Sequence, residues 1–138
     1  MSYKLADRVH KVQPSFTLQM ATRAAEMRAE GIDVINFSVG EPDFNTPSHI
    51  IDAGKKAMDD GFTKYTAGPG MIEFRQAICE KLERENGISY EVGDILVSNG
   101  EKQSLYNVCQ ALFNEGDEVA VFRPYWVSFP EFVRLADA

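Results

Sequence analysis

The alternation of strand and helix in the C-terminal third constrains the fold of this chain more than any other feature. Residues 95–97 form a short apolar segment typical of a buried strand, and residues 102–113 carry apolar side chains at helical spacing. A second strand is predicted at 119–122; Pro124 ends it, and a second helix is predicted over 126–135. Strands and helices in this order predict an α/β layer with parallel strands.

The N-terminal third begins with a predicted helix. Ser15 is a suitable N-cap, apolar residues recur every three or four positions up to about Glu30, and Gly31 suits a left-handed C-terminal cap. A short strand is predicted over 34–39. The polar segment 40–45, marked by proline and glycine, predicts a loop.

Two further helices are predicted in the middle of the chain. Thr46 as N-cap and Pro47 at the first helical position begin one helix, which Gly61 ends. Its expected buried stripe consists of Ile50, Ile51, Gly54, Ala57 and Met58. After a loop at 64–70, a helix with apolar residues at helical spacing runs to Gly87.

Composition excludes several classes of function. The formal net charge of −7 argues against nucleic acid as a partner, because phosphate binding needs a surplus of lysine and arginine. No run of about 18 apolar residues predicts a membrane span, and the charged N-terminus does not read as a secretion signal, so we expect a cytoplasmic location. We expect Cys79 and Cys109 to be reduced thiols. His10 and His49 lack partners at ligand spacing, so we expect no metal site.

A turn between the strand at 95–97 and the helix after it is a candidate anion site. The sequence Asn99-Gly100 precedes a helix that opens at Glu101 or Lys102, and the first amides of a helix favour an anion. Lys102 or Gln103 offers a further donor. The alternative is that Gly100 only permits a tight turn. Neither the dinucleotide-binding nor the P-loop glycine pattern is present.

Two aromatic residues also have two interpretations each. Tyr65 either fills the core or projects its hydroxyl to an anion. Trp126 follows a predicted strand, where ligand sites of α/β proteins usually lie, and it is either a core residue or a lid on a ligand ring. Glu41, Asp43 and Asn45 are typical of a solvated loop.

Five segments together resemble a known family. They are Phe-Ser-Val-Gly-Glu-Pro-Asp-Phe at 37–44, Lys-Tyr-Thr-Ala-Gly-Pro-Gly at 64–70, Val-Ser-Asn-Gly-Glu-Lys-Gln at 97–103, Gly-Asp-Glu-Val at 116–119 and Pro-Tyr-Trp-Val-Ser-Phe-Pro-Glu at 124–131. In this order and spacing they resemble the N-terminal part of the class I aminotransferases, the fold-type I pyridoxal phosphate enzymes related to aspartate aminotransferase. The resemblance runs from about residue 10 to the end of the chain.

The resemblance implies an architecture. It is α/β, a partial large domain of the fold-type I pyridoxal phosphate-dependent transferases, with helices packed on an incomplete parallel sheet. Residues 1–45 would be an N-terminal arm, helix and strand of the family's small domain, and residues 46–138 the first part of its cofactor-binding large domain. An incomplete sheet leaves apolar faces and strand edges open, so we expect a homo-oligomer, a dimer or higher.

The resemblance also implies roles for individual residues. Gly40 would lie against the α-carboxylate of the substrate, and Tyr65 would reach across a dimer interface to the cofactor phosphate of the other subunit. The amides of residues 100–102 would hold the phosphate of pyridoxal 5′-phosphate in the same subunit. Trp126 would stack on the pyridine ring and contact substrate. Glu101 departs from the small residue that relatives often carry at its position.

The chemistry of the family depends on residues that the resemblance places after Ala138. These are the lysine that binds the cofactor covalently, the acid paired with the pyridine nitrogen and the arginine for the substrate carboxylate. We therefore expect no catalytic residue in this chain and no activity from it alone. The implied function is pyridoxal phosphate-dependent transfer of an amino group between an amino acid and a 2-oxo acid, with this chain as an N-terminal fragment of the enzyme. The alternative is a non-catalytic, oligomeric binding or assembly module derived from that family.

Overall fold

The computed structural model describes residues 3–138, and its regular elements are helices. In chain order they are α1 (Asp7–Lys11), α2 (Phe16–Ala29), α3 (Ser48–Asp59), α4 (Ile72–Asn86), a 3-10 turn (Val92–Asp94), α5 (Glu101–Leu112) and α6 (Phe129–Leu135). The chain divides into two compact units. The first joins the part before Pro42 to Gly100–Ala138, and the second is Pro42–Asn99. The predicted domain boundary at 45/46 stays a prediction.

The predicted helix ends at Ser15 and Gly31 are confirmed. The Ser15 side chain accepts a hydrogen bond from the Leu18 amide, which satisfies one of the free donors at the start of α2. Gly31 has a φ of 81°, and the Ile32 amide donates back to Met27 at 3.0 Å. The local sequence therefore determines both ends of this helix.

The observed starts of two helices differ from the predicted ones by a few residues. The N-cap of α3 is Pro47, not Thr46, because the Pro47 carbonyl already accepts bonds from the amides three and four residues later. Helix α6 begins at Phe129, not at Trp126. The Phe129 amide donates to the Trp126 carbonyl at 3.0 Å, so the residues between them form a turn.

The three predicted strands form no ladder among residues 3–138. The segments 34–39, 95–97 and 119–122 are irregular or extended, and none pairs with another segment. Residue 97 makes one long-range backbone bond, from its amide to the Pro69 carbonyl at 2.9 Å. A β-strand needs an adjacent strand to hydrogen-bond with along its length. These segments have the apolar composition of strands but no adjacent strand. The segments are therefore unpaired among the described residues, as expected where the sheet is incomplete.

Polar contacts hold the first unit together where α1, α5 and α6 meet. The Gln110 side-chain amide donates to the Leu135 carbonyl at 3.0 Å, which joins α5 to the end of α6. The Lys11 ammonium contacts the Asp137 carboxylate at 2.6 Å, which joins α1 to the residues after α6. Both contacts lie at the surface, so they orient the helices without forming a core.

The hydrophobic core is very small. Among the described residues the buried apolar side chains are Ala24, Cys109 and Ala136. The predicted buried stripe of α3 is wrong in this chain, because Ile50 and Met58 are 52% and 63% exposed. In the first unit an apolar groove of about 410 Å³ lies between α5, α6 and the extended segment before Arg123. Its lining comprises Leu105, Val108, Cys109, Phe113, Val119, Ala120, Val121, Phe122, Phe129, Phe132 and Val133.

Candidate functional site

The predicted anion site lies at the N-terminus of α5, which begins at Glu101. Gly100 is its N-cap with a φ of 85° and a ψ of 167°, a backbone conformation that only glycine adopts readily. The first intrahelical bond runs from the Ser104 amide to the Gly100 carbonyl at 3.4 Å. The amides of residues 100–102 precede that bond, at the end of the helix where the dipole carries partial positive charge. This conformation is compatible with both interpretations of Gly100, a tight turn and an anion site, and the role of Gly100 toward a phosphate stays a prediction.

Glu101 occupies the first position of α5, and its side chain is exposed. A carboxylate in the first turn is favourable for a helix because it faces the positive end of the dipole. The helix dipole thus explains why Glu101 is tolerated at the turn where the anion site is predicted. The backbone amide of Glu101 belongs to the turn in every conformation of the Glu101 side chain.

Lys102 and Trp126 are brought together by the structure. The Lys102 ammonium lies 5.7 Å from the centroid of the Trp126 ring, within the range of a cation–π interaction. Trp126 is 45% exposed, so its interpretation as a core residue is wrong. The aromatic residue thus lies beside the end of α5 that carries the amides of residues 100–102.

Tyr65 and Gly40 are both exposed. Tyr65, in the second unit, exposes its whole side chain and lines an open cavity of about 270 Å³, so its interpretation as a core residue is also wrong. Gly40, in the first unit, lies in an irregular segment where an added Cβ would meet no described atom within 4 Å. Their roles toward the phosphate and the substrate stay predictions.

Arg75 anchors the segment that leads to the Asn99-Gly100 turn. Its guanidinium donates from Nε to the Ile95 carbonyl at 2.8 Å and from Nη2 to the Val92 carbonyl. Sequence reasoning missed this residue. The available signal is its position, four residues after Met71 and three before Ile78, which places a charged side chain on the apolar stripe of α4.

A close backbone approach at Gly70 also contacts this segment. Gly70 has a φ of 102°, and a Cβ there would lie 2.9 Å from the Cβ of Val97. The Val97 amide also donates to the Pro69 carbonyl at 2.9 Å. The next residue, Ser98, has a buried hydroxyl without a hydrogen-bond partner among the described residues. The loop that carries Tyr65 is thereby attached to the strand-like segment that ends at the turn.

The cysteines and the other possible metal ligands form no metal-binding group among the described residues. Both cysteines are free, and burial raises the pKa of the Cys109 thiol. Within residues 3–138 no three His, Cys, Asp or Glu side chains are grouped so as to hold a metal ion. No helix in this part of the chain is long and apolar enough to cross a bilayer.

Comparison with known proteins identifies the family. The sequence profile of the family "Aminotransferase class I and II" matches residues 32–138. The chain belongs to this family. The aspartate aminotransferase of Geobacillus stearothermophilus is 49% identical over 133 residues, which cover 96% of this chain and 34% of the relative. The aspartate/prephenate aminotransferase of Cereibacter sphaeroides is 50% identical over 132 residues, which cover 96% of this chain and 33% of the relative.

Solved aminotransferases share its backbone. The aspartate aminotransferase of Rhizobium meliloti matches with a TM-score of 0.92 and 42% identity, covering 99% of this chain and 34% of that one. The enzyme of Thermus thermophilus with maleate matches with a TM-score of 0.92 and 44% identity, covering 98% and 35%. The predicted fold class, a partial large domain of the fold-type I transferases, is confirmed. The chain spans about a third of the length of the relatives it matches.

Proposed function

We propose that this chain is the part of a pyridoxal phosphate-dependent aminotransferase that holds the phosphate and the ring of the cofactor. One observation carries the proposal: the glycine-dependent start of α5 and the Trp126 ring lie together, linked by Lys102 at 5.7 Å. A phosphate ester on an aromatic ring needs both an array of amide donors and an aromatic face. The family of the chain supports the same ligand.

The residues present fit pyridoxal 5′-phosphate. The amides of residues 100–102 would donate hydrogen bonds to its phosphate, and the exposed face of Trp126 would pack against its ring. The Tyr65 hydroxyl would donate a hydrogen bond to the cofactor phosphate that is bound in a neighbouring subunit. When bound, the cofactor supplies a ring that accepts electrons from the bond being broken at the amino acid. In the whole protein the reaction would be amino-group transfer between an amino acid and a 2-oxo acid.

Aspartate is the amino donor that we propose for the whole protein. The relatives from Geobacillus stearothermophilus and Cereibacter sphaeroides are named for aspartate and for aspartate or prephenate. Gly40 would contribute to this substrate site because a residue without a side chain leaves room for a carboxylate to approach its backbone. The proposed location of the protein is the cytoplasm.

Binding of the phosphate is tested by comparing two ligands that differ only there. Trp126 is the one tryptophan of the chain, so its fluorescence reports on this site alone. We expect pyridoxal 5′-phosphate to quench Trp126 at concentrations at least tenfold below those at which pyridoxal does so. Equal quenching by the two ligands would show that the chain does not recognise the phosphate.

Covalent attachment gives an independent test of the expectation that no lysine of this chain binds the cofactor covalently. Borohydride reduction of the complex, followed by peptide mass spectrometry, is expected to label no single lysine stoichiometrically. Stoichiometric labelling of Lys102 would contradict the assignment, since Lys102 is placed here at the phosphate turn and at the Trp126 ring.

A second function, an oligomeric binding or assembly module without catalysis, is favoured by one observation. The groove between α5 and α6 is open and apolar, as expected of a surface that contacts another polypeptide. The coding DNA beyond the Ala138 codon distinguishes the two functions. A reading frame that continues into a lysine motif of the family supports the enzyme, and a stop codon with a native protein of this length supports the module.

A further inference from the structure

We propose that Lys102 is a positioning residue that holds the Trp126 ring in place through its side-chain ammonium, while its backbone amide belongs to the phosphate turn. The inference rests on the proposed function and deepens it, because it couples the recognition of the phosphate to the recognition of the ring. A single residue would serve both parts of a phosphorylated aromatic ligand.

The position of Lys102 on α5 is electrostatically unfavourable for a lysine. It is the second residue of the helix, where the dipole carries partial positive charge and basic side chains are destabilising. Nearby, the Trp126 ring offers a negative face at 5.7 Å from the ammonium. The ring therefore supplies an attraction that the helix end does not.

The Trp126 side chain is only partly covered by the chain around it. It lies in the irregular segment between Pro124 and α6, and nearly half of its surface is exposed. Its backbone is tied by the hydrogen bond from the Phe129 amide to its carbonyl at 3.0 Å, and this bond does not restrict the ring. The cation above one face thus limits the rotamers of an otherwise exposed side chain.

The charged residues near Lys102 and Trp126 do not compete for this cation–π contact. Arg123 lies over the Tyr125 ring, with 5.9 Å between its guanidinium carbon and the ring centroid. Glu101, the charged residue next to Lys102, is exposed at the first position of α5. Each of the two cations is accordingly matched with an aromatic ring.

Acrylamide quenching of Trp126 in the free chain tests the first part of the proposal. The variants are Lys102→Met, which keeps the length of the side chain without its charge, and Lys102→Arg, which keeps the cation. An exposed cation–π contact changes the ratio of stacked to open conformers by about two- to fivefold. We expect Lys102→Met to raise the quenching constant by up to that factor and Lys102→Arg to restore it. Lys55→Met, which removes an exposed charge from α3, serves as the matched control and should leave quenching unchanged.

Ligand titrations test the coupling. We expect Lys102→Met to lower the affinity for pyridoxal 5′-phosphate about two- to fivefold, while the affinity for inorganic phosphate stays the same. An equal loss for both ligands would overturn the proposal, because Lys102 would then act as a charge on the anion. Unchanged acrylamide quenching in Lys102→Met would overturn it as well. Failure of the wild-type chain to bind pyridoxal 5′-phosphate would instead refute the proposed function, and the quenching data would still decide whether Lys102 positions the ring.

Discussion

At the scale of single residues, the site depends on backbone conformations that few side chains permit. Gly100 and Gly70 both have positive φ, and the two conformations have different structural consequences. Gly100 directs the first amides of α5, and Gly70 allows the backbone to approach Val97. The sequence predicted a turn at both positions. It did not predict the contact with Val97, because the partner lies 27 residues away in the chain.

Gly100→Ala should weaken the binding of the cofactor. A non-glycine residue at this φ and ψ costs on the order of 1–3 kcal/mol, which the chain would avoid by changing the turn and with it the direction of the amides. We expect about a tenfold or larger rise in the dissociation constant of pyridoxal 5′-phosphate, measured by Trp126 fluorescence. Gly93→Ala is the control, since an added Cβ there meets no described atom within 4 Å and its φ is not positive. Equal effects of the two substitutions would contradict the role given to Gly100.

At the scale of elements, the helices follow from local pattern and the extended segments do not. Ser15 caps α2 as predicted, and Gly87 ends α4 in the left-handed conformation. The predicted strands have the right composition but no partner within the described chain. The segment at 95–97 is held instead by a side chain of α4, since Arg75 donates to the Ile95 carbonyl.

Arg75→Met should loosen the segment before the phosphate turn. The substitution removes two charge-assisted hydrogen bonds to partly buried carbonyls, together worth about 2 kcal/mol or more. We expect amide hydrogen exchange of Val97 to accelerate about 30-fold while α4 stays folded. Arg84→Met changes an exposed arginine on the same helix and should leave Val97 unaffected. Unaltered exchange in Arg75→Met would show that the Pro69 and Gly70 contacts hold the segment without it.

The contact between α1 and the end of α6 should depend on pH. Its hydrogen bond lowers the pKa of Asp137 and raises the pKa of Lys11. A lowered carboxyl pKa gives stabilisation that is present above the ordinary aspartate pKa and is lost as pH falls through the folded value. A raised lysine pKa gives stabilisation that is lost as pH rises through the folded value.

We therefore expect α1 to be held between about pH 4 and pH 10 and released outside that window. Hydrogen-exchange protection factors of α1, which correct for the pH dependence of intrinsic exchange, measure this in a titration downward from about pH 6, with Lys11→Met as the variant that removes the dependence. Global stability should hardly change, since both side chains are about half exposed and surface ion pairs contribute little. A pH dependence that persists in Lys11→Met would assign it to another group.

At the scale of the whole molecule, the exposed apolar surface predicts association between copies of the chain. Phe122 is 87% exposed at the edge of the groove, and among the described residues no backbone hydrogen bond involves residues 118–122. Unpaired extended backbone beside an apolar groove favours pairing with another chain. The second copy is the partner that we expect for the isolated chain.

Light scattering at tens of micromolar should give a mass above the 15.4 kDa of one chain. We expect Phe122→Glu to shift the population towards the monomer. Phe16→Glu introduces the same charge at an exposed phenylalanine outside the groove and should shift it much less. A monomeric wild-type chain at this concentration would contradict the prediction.

The sequence by itself determined the family, both ends of α2 and the choice of candidate site residues. These depend on order, spacing and local hydrogen bonding, which short segments carry on their own. Tertiary structure alone decided that Lys102 lies over Trp126, that Arg75 holds the Ile95 carbonyl and that the predicted strands are unpaired. Contacts between distant segments depend on which surfaces are available to pack. In this chain few apolar surfaces are covered, so composition typical of a core did not produce one.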